Sequence, residues 1–214
     1  MSDDPGTDAS KRIAGGFSVG VLVGGASTRM GRDKALLDCG GRTLLEVVCE
    51  RVGRGAKEVI LAIGRAGRLL PPSLQAHRQV VDAIEGVGPI AGVLALVETA
   101  KTDWLVVVPC DMPRLAAEHL SHLVEAAQGA GAAAAIYRRH GRDESLPLAI
   151  RISAAPALRA AIARGDYRLT AVLDLVPALR LDAESVPGSR DLEGPFHNLN
   201  HPAEFDAFRR GDPA

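Results

Sequence analysis

Residues 20–34 read GVLVGGASTRMGRDK, and this stretch gives the strongest indication of the fold and of a binding site. The apolar run 19–23 leads directly into a glycine-rich turn, which is the pattern of a buried strand followed by a tight loop. Gly24 and Gly25 let the backbone approach a ligand closely, and the N–H groups of such a turn can surround an anion. The same loop carries three basic side chains: Arg29, Arg32 and Lys34. The stretch therefore predicts a polyanion site, with an ordinary loop bearing solvated basic residues as the alternative.

The loop fits neither of two common phosphate-binding patterns. GxxxxGK[ST] of the P-loop is absent, and so is the dinucleotide pattern GxGxxG. Any anion site in the loop must therefore be of another kind.

Composition narrows the class of protein. A chain of 214 residues with 47% hydrophobic residues suits one domain with a substantial core. A net charge of −1 and only 3% aromatic residues argue against a nucleic-acid partner. Three cysteines without CxxC spacing indicate a reducing, cytoplasmic setting, and no apolar run approaches the roughly 18 residues of a membrane span. The polar, glycine-containing start predicts a disordered lead over 1–16, followed by one domain over 17–214.

Strand and helix patterns alternate along the first two thirds of the chain. Apolar runs predict strands at 19–23, 58–63, 79–82, 104–108 and 132–137, and helical periodicity predicts helices at 44–52, 89–100 and 116–128. Later segments predict a strand at 146–150 and helices at 155–163, 169–175 and 203–209. The alternation predicts an α/β fold with three layers (α/β/α) and a doubly wound, mostly parallel sheet.

Three further groups of polar residues follow predicted strands or precede the last helix. Asp111, flanked by prolines, is either a helix N-cap or a ligand of Mg²⁺. Asp82 either bonds a nucleoside or caps a turn. Asn198 and Asn200 would share one face of an extended segment, with an edge strand before a helix as the alternative. Because ligands of open α/β sheets bind beyond the carboxyl ends of strands, we expect the two aspartates near the glycine-rich loop.

No spacing in the sequence singles out a nucleophilic serine–histidine couple. His119 and His122 lie three residues apart on a predicted helix, where an exposed face explains them better than a metal site.

Residues 22–34 closely resemble the signature loop of the molybdenum cofactor guanylyltransferases, which join GMP from GTP to molybdopterin. Other motifs of that family match in order along the chain: Asp82 followed by GPIAG at 88–92, CDMP at 110–113, LPL at 146–148 and FHNLN at 196–200. The matches extend from Val19 to Phe205. The resemblance implies a nucleotidyltransferase fold of the nucleotide-diphospho-sugar transferase type, acting with GTP and Mg²⁺.

Carried over position by position, the resemblance implies three sets of site residues. The nucleotide-binding set is Leu22, Val23, Gly24, Gly25, Lys34, Asp82 and Asp111. The catalytic set is Arg29, Lys34 and Asp111, with Asp111 as the metal ligand. The acceptor-binding pair is Asn198 and Asn200. Ala62 stands where some relatives have an asparagine that contacts the nucleoside, and Arg32 and Asp33 are expected only to shape the loop.

The expected reaction is Mg²⁺-dependent transfer of GMP from GTP to molybdopterin, with release of pyrophosphate. The preference for GTP rests on Gly24-Gly25, where cytidylyl relatives usually have Ala-Gly, and on the motif at 88–92. Two alternatives stay open: a cytidylyl- or other nucleotidylyltransferase with a different phosphate acceptor, and a non-catalytic GTP-binding accessory protein. The resemblance also allows transient contact with proteins of cofactor biosynthesis or with acceptor enzymes, and we expect no nucleic-acid or membrane partner.

Overall fold

The computed structural model describes residues 16–23, 33–82, 84–186 and 194–211. Its strands are β1 (Ser18–Leu22), β2 (Glu58–Ala62), β3 (Arg78–Val80), β4 (Trp104–Pro109), β5 (Ala134–Arg139), β6 (Arg142–Arg151) and β7 (Ala178–Asp182). Its α-helices are α1 (Leu44–Gly53), α2 (Pro89–Thr99), α3 (Ala117–Gly129), α4 (Ala155–Ala163) and α5 (Pro202–Arg210). Short 3-10 helices cover Lys34–Leu36, Pro72–Leu74, Ile152–Ala154, Leu169–Asp174 and Ala183–Ser185.

Part of the predicted loop lies outside these residues. Gly24, Gly25, Arg29 and Arg32 are not among the described residues, and neither are residues 1–15 of the predicted lead. The division into a lead (1–16) and a single domain (17–214) stays a prediction.

The described strands form a seven-stranded sheet in the order β3-β2-β1-β4-β6-β5-β7. β1 pairs in parallel with both β2 and β4, and β7 is parallel to β5. β6 runs antiparallel to both of its neighbours. The prediction of a doubly wound, mostly parallel sheet is therefore confirmed, with β6 as the reversed strand.

Helices cover both faces of the sheet. Val21 of β1 belongs to a hydrophobic cluster that includes residues of α1 and α3, whereas Leu22 belongs to a second cluster that includes residues of α2 and α4. Successive side chains of a strand point to opposite faces, so β1 contributes to both clusters. Burial on both faces explains why residues 19–22 of β1 and the whole of β4 show no alternation of apolar and polar residues.

The C-terminal helix packs against the first helix. Leu199 and Phe205 form a small buried cluster with Leu44, the first residue of α1. This contact holds the segment before α5 close to the 3-10 helix that starts at Lys34, which lies near α1. α5 begins with Pro202 and ends at Arg210, and Gly211 follows as the C-cap with a φ of 74°, which suits glycine.

Three sequence predictions need correction. Residues 178–182 were not predicted to be a strand, yet they form β7. The predicted helix at 169–175 is a 3-10 helix over Leu169–Asp174. The segment 196–200 is irregular and is not an edge strand, because its N–H and side-chain groups bond to neighbouring loops, as described below. Among the described residues, none of the helices has the length and apolarity needed to cross a membrane.

Candidate active site at the carboxyl edge of the sheet

β1 and β4 end side by side. Leu22 lies opposite Pro109 in the parallel register, and the next N–H along β4, that of Cys110, donates to the Leu22 carbonyl at 3.2 Å. Val23 continues from β1 and donates its N–H to the Ala62 carbonyl of β2 at 2.9 Å. The loops that follow these strands therefore begin at one edge of the sheet, where ligands of such folds bind.

Lys34 connects two of the predicted clusters. Its ammonium nitrogen lies 3.7 Å from Oδ2 of Asp111 and donates to Oδ1 of Asn200 at 2.9 Å. Only 16% of the Lys34 side chain and 24% of the Asp111 side chain are exposed. The structure thus brings together a predicted phosphate-binding cation, a predicted metal ligand and a predicted acceptor-binding amide.

Asp111 is not the N-cap of the helix that follows it. α3 begins at Ala117, and the N–H of its N-cap residue Ala116 donates to Nδ1 of His119 at 3.0 Å. The Asp111 carbonyl instead accepts the N–H of Leu199 at 2.9 Å. Burial raises the pKa of the Asp111 carboxyl, and the positive charge of Lys34 opposes that effect. Of the two predictions for Asp111, the helix cap is wrong, and the structure contains a partly buried carboxylate that faces a cation. The role of Asp111 as a ligand of Mg²⁺ stays a prediction.

Asp82, the residue predicted to bond a nucleoside, lies close to the start of α2. A Cβ atom at Gly92 would lie 3.1 Å from Cδ2 of Leu22 and 3.2 Å from Oδ1 of Asp82, so glycine permits this close approach. Asp82 lies two residues beyond the end of β3, and its N–H donates to the Gly64 carbonyl at 2.8 Å. Burial raises the pKa of its carboxyl. Asp82, Leu22 and Ala62 therefore converge on the second turn of α2.

The two asparagines have different environments. Asn200 accepts from Lys34, and its own N–H donates to Oε2 of Glu204 at 2.6 Å. The N–H of His201 donates to the same carboxylate oxygen at 2.8 Å. Oδ1 of Asn198 is buried and has no hydrogen-bond partner among the described residues. Asn198 therefore has an acceptor oxygen available for a ligand, and Asn200 is engaged with Lys34.

Sequence reasoning did not identify Arg68 or Glu204. Arg68 contacts Asp33, which bonds the N–H of Ala35 and so caps the 3-10 helix that begins at Lys34. The expectation that Asp33 shapes the loop agrees with that cap. Glu204 had a signal in the sequence, because a proline at the first helical position followed by an acid two residues later is typical of a helix start. Arg68 had none, since an arginine in a loop is usually solvated.

Neither Cys110 nor His119 is in the environment of a reactive group. Burial raises the pKa of the Cys110 thiol to about 12, which argues against a nucleophilic thiolate beside Asp111. His119 is buried, so the expectation of an exposed helical face is wrong for it. Its ring nitrogen caps α3 and its carbonyl accepts the Tyr137 hydroxyl at 2.7 Å.

A Mg²⁺ ion fits this donor set. The described residues contain no group of three histidine, cysteine, aspartate or glutamate side chains that could hold a metal alone. Mg²⁺ commonly takes one or two carboxylates and completes its shell with phosphate oxygens and water. Asp111 supplies one half-buried carboxylate, which suits a metal that arrives with a phosphate ligand.

Comparisons with known proteins show the family. Residues 19–183 match the family of MobA-like NTP transferase domains. A molybdenum cofactor guanylyltransferase from Yersinia pestis is 34% identical over 197 residues, which cover 89% of this chain and 95% of that protein. Molybdopterin-guanine dinucleotide biosynthesis protein A from Archaeoglobus fulgidus superimposes with a TM-score of 0.76 at 27% identity, covering 90% of this chain and 97% of that one.

A more distant structure extends the comparison of folds. 2-C-methyl-D-erythritol 4-phosphate cytidylyltransferase from Thermus thermophilus has a TM-score of 0.64 at 20% identity, covering 89% of this chain and 96% of that one. At that identity the likeness shows a shared nucleotidyltransferase fold. The chain therefore belongs to the family of MobA-like NTP transferase domains, as a nucleotidyltransferase of the molybdenum cofactor guanylyltransferase group.

Proposed function

We propose that this chain transfers GMP from GTP to molybdopterin, forming molybdopterin guanine dinucleotide and releasing pyrophosphate. The observation that carries the proposal is the meeting of Lys34, Asp111 and Asn200 at the carboxyl edge of the sheet. A cation suits phosphates, a carboxylate suits a divalent metal, and an amide can hydrogen-bond to an acceptor, so the three groups together support such a transfer. The names of the relatives, a molybdenum cofactor guanylyltransferase and a molybdopterin-guanine dinucleotide biosynthesis protein A, support GTP and molybdopterin as the two substrates.

The proposed step is a displacement at the α-phosphorus of GTP. A terminal phosphate oxygen of molybdopterin forms a new bond to that phosphorus, while the bond from the α-phosphorus to the oxygen bridging to the β-phosphate breaks. Pyrophosphate leaves with the electron pair. Because the attacking oxygen is already anionic, no general base is needed, and catalysis consists of alignment and neutralisation of charge.

Lys34 and Asp111 would act on the phosphates. The Lys34 ammonium lies 3.7 Å from Asp111, so it would meet a phosphate that a metal ion held at that carboxylate. Asp111 would hold Mg²⁺, which when bound neutralises phosphate charge. The backbone contact from Leu199 fixes where the carboxylate is presented. Arg29, Gly24 and Gly25, which lie outside the described residues, remain predicted contributors to the same phosphate site.

Asp82 and the two asparagines would hold the other parts of the substrates. Asp82 lies at the start of α2 beside Leu22, where its carboxylate can accept hydrogen bonds from the nucleoside. Val23, the residue after Leu22, would also contact the nucleotide. Asn198 offers a buried, unpartnered amide oxygen to molybdopterin, and Asn200 would join the acceptor site to Lys34. The three cysteines are free thiols, in keeping with the proposed cytoplasmic setting.

The decisive assay incubates the purified chain with molybdopterin, Mg²⁺ and either GTP, CTP or UTP, and measures both pyrophosphate and the mass of the product. Of the three nucleotides, we expect only GTP to give pyrophosphate and a GMP adduct of molybdopterin. Both products should be lost when EDTA removes the metal. Transfer from CTP or UTP but not GTP would instead assign a different nucleotidylyltransferase. GTP binding without pyrophosphate release would indicate an accessory protein.

A further inference from the structure

We propose that Arg68 is a positioning residue for Lys34 and acts on it through Asp33. In this proposal the Arg68–Asp33 pair sets the direction in which the Lys34 ammonium reaches toward Asp111 and Asn200. The inference rests on the proposed function of the Lys34 site. Arg68 lies outside all the sequence motifs from which that site was predicted.

The pair acts directly on the start of the 3-10 helix Lys34–Leu36. Nη2 of Arg68 lies 2.5 Å from each carboxylate oxygen of Asp33. Oδ1 of Asp33 also accepts the N–H of Ala35 at 3.2 Å, so Asp33 is the side-chain cap of that helix. Lys34 is the first residue of the helix, between the cap and the N–H that the cap holds. The orientation of the Lys34 backbone therefore depends on an aspartate that Arg68 holds in place.

The segment that carries Arg68 is anchored in the core. Arg68 lies in the connection between β2 and β3, and two later side chains of that connection, Leu70 and Leu74, are buried in the cluster beneath α1. The hydroxyl of Ser73 also donates to the carboxylate of Glu46 in α1. Arg68 is therefore presented from an anchored support, as a positioning role requires.

The surroundings of the pair differ from those of an ordinary surface ion pair. Only 17% of the Arg68 side chain is exposed, and its Nε is buried without a hydrogen-bond partner among the described residues. A guanidinium N–H that is buried and unbonded is unfavourable for folding. Arg68 is held in this environment by its contact with Asp33, as a positioning role requires.

Chain connectivity places the pair next to the Lys34 site. Asp33 directly precedes Lys34, whose ammonium nitrogen lies 3.7 Å from Oδ2 of Asp111. The Arg68–Asp33 pair therefore adjoins the site where Lys34 and Asp111 meet.

The test measures how readily the Lys34 amine is acylated, so it does not depend on nucleotide transfer. Arg68→Gln, Asp33→Asn and the control Arg65→Gln are treated with an amine-acylating reagent, and the rate at each lysine is read by mass spectrometry. Asn at position 33 keeps an oxygen for the Ala35 N–H but loses the charge, which separates the ion pair from the cap. Arg65 lies in the same connection and is exposed. Exposed Lys57 and Lys101 serve as internal references.

We expect acylation of Lys34 to accelerate severalfold, up to roughly tenfold, in both Arg68→Gln and Asp33→Asn, since each loses a charge-assisted hydrogen bond. Lys57 and Lys101 should not change, and Arg65→Gln should match the wild type at all three lysines. An unchanged Lys34 rate in Arg68→Gln overturns the inference, and so does a change in Asp33→Asn alone. If Arg68→Gln does not fold, Arg68→Met, which keeps an apolar stem and removes the charge, takes its place with the same expected acceleration of Lys34 acylation.

Kinetics adds a second readout. Arg68→Gln should lower kcat/KM for GTP in the wild-type background but cause no further loss when Lys34 is already alanine, because its effect passes through Lys34. An equal loss in both backgrounds overturns the inference. A wild-type chain that transfers no nucleotide contradicts the proposed function, while the acylation rates still decide the role of Arg68.

Discussion

At the scale of single residues, the site holds two partly buried charges of opposite sign. Burial disfavours each charge by itself, and the contact between them offsets that cost. Asp111 is a carboxylate whose pKa is raised by burial, so its ionised form is less favourable in the folded chain than in water. Lys34 provides the opposing charge at 3.7 Å, and Asn200 accepts one of its N–H groups. Such perturbed, partly buried charges are characteristic of functional sites.

Replacing Asp111 by asparagine tests this assignment. Asp111→Asn should lower Mg²⁺-dependent GMP transfer by about 100-fold or more, because the metal ligand and its charge are lost. The fold should persist, with a melting temperature within about 4 °C of the wild type, since the buried carboxylate is replaced by a neutral group of the same shape. The readouts are pyrophosphate release and thermal unfolding.

Asp174→Asn is the matched control, because Asp174 has an exposed side chain on another 3-10 helix. It should leave transfer unchanged. Near-normal transfer by Asp111→Asn would remove Asp111 from the proposed metal site.

At the scale of secondary-structure elements, β1 and α2 pack unusually closely. Gly20 lies in the middle of β1, and a Cβ atom there would fall 2.7 Å from Cδ1 and 3.0 Å from Cδ2 of Leu96. Leu96 is fully buried in α2. The glycine is therefore required by the contact between the two elements, even though glycine is a poor strand former.

Gly20→Ala should lower the free energy of unfolding by about 1–3 kcal/mol, as overpacking of a full core does. In a Leu96→Val background, which removes the two δ carbons, the same substitution should have a clearly smaller effect. Urea denaturation of the four proteins in this cycle measures the difference.

Gly129→Ala is the control, since a Cβ atom at Gly129 meets nothing within 4 Å. It should change stability little or raise it slightly. Equal losses from Gly20→Ala in both backgrounds would show that crowding against Leu96 is not the cause.

Elements buried on both faces could be predicted to within a few residues from their apolar runs, as β1, β2 and β4 illustrate. β7 could not, because it is an edge strand whose residues are only partly buried and whose apolar positions alternate with charge. The irregular segment 196–200 has an alternating pattern too, but its hydrogen bonds go to Asp111, Lys34 and Glu204. Alternation alone does not distinguish these two cases.

At the scale of the whole molecule, one buried group joins distant parts of the chain. His119 of α3 packs edge-on to Phe196 at 6.3 Å between ring centroids, and Phe196 lies 4.7 Å from the ring of Tyr137 in β5. The Tyr137 hydroxyl donates to the His119 carbonyl. This cluster connects the C-terminal segment, which carries the two asparagines, to the sheet.

The same cluster makes global stability depend on pH. Burial lowers the pKa of His119 from 6.5, so the folded chain keeps the ring neutral while the unfolded chain takes up a proton. The free energy of unfolding should therefore fall as the pH decreases below 6.5, and this contribution should level off below the folded-state pKa.

His119→Gln should remove that contribution, because glutamine does not titrate and can still accept the Ala116 N–H at the start of α3. Urea unfolding from about pH 8 to about pH 5 gives the comparison, analysed as a two-state transition. His201→Gln, at an exposed histidine, should keep the wild-type slope. An identical slope in His119→Gln and the wild type would contradict the prediction.

The sequence by itself determined the alternation of strands and helices, the charge of the first loop and the candidate aspartates, because periodicity and turn residues are local properties. Only the tertiary structure decided which side chains meet. Lys34 and Asn200 are 166 positions apart, and Arg68 and Asp33 are 35 apart. Their contacts exist because β1 lies between β2 and β4, and because α5 packs on α1. No local pattern encodes those neighbours, since strand order and helix docking depend on packing across the whole core.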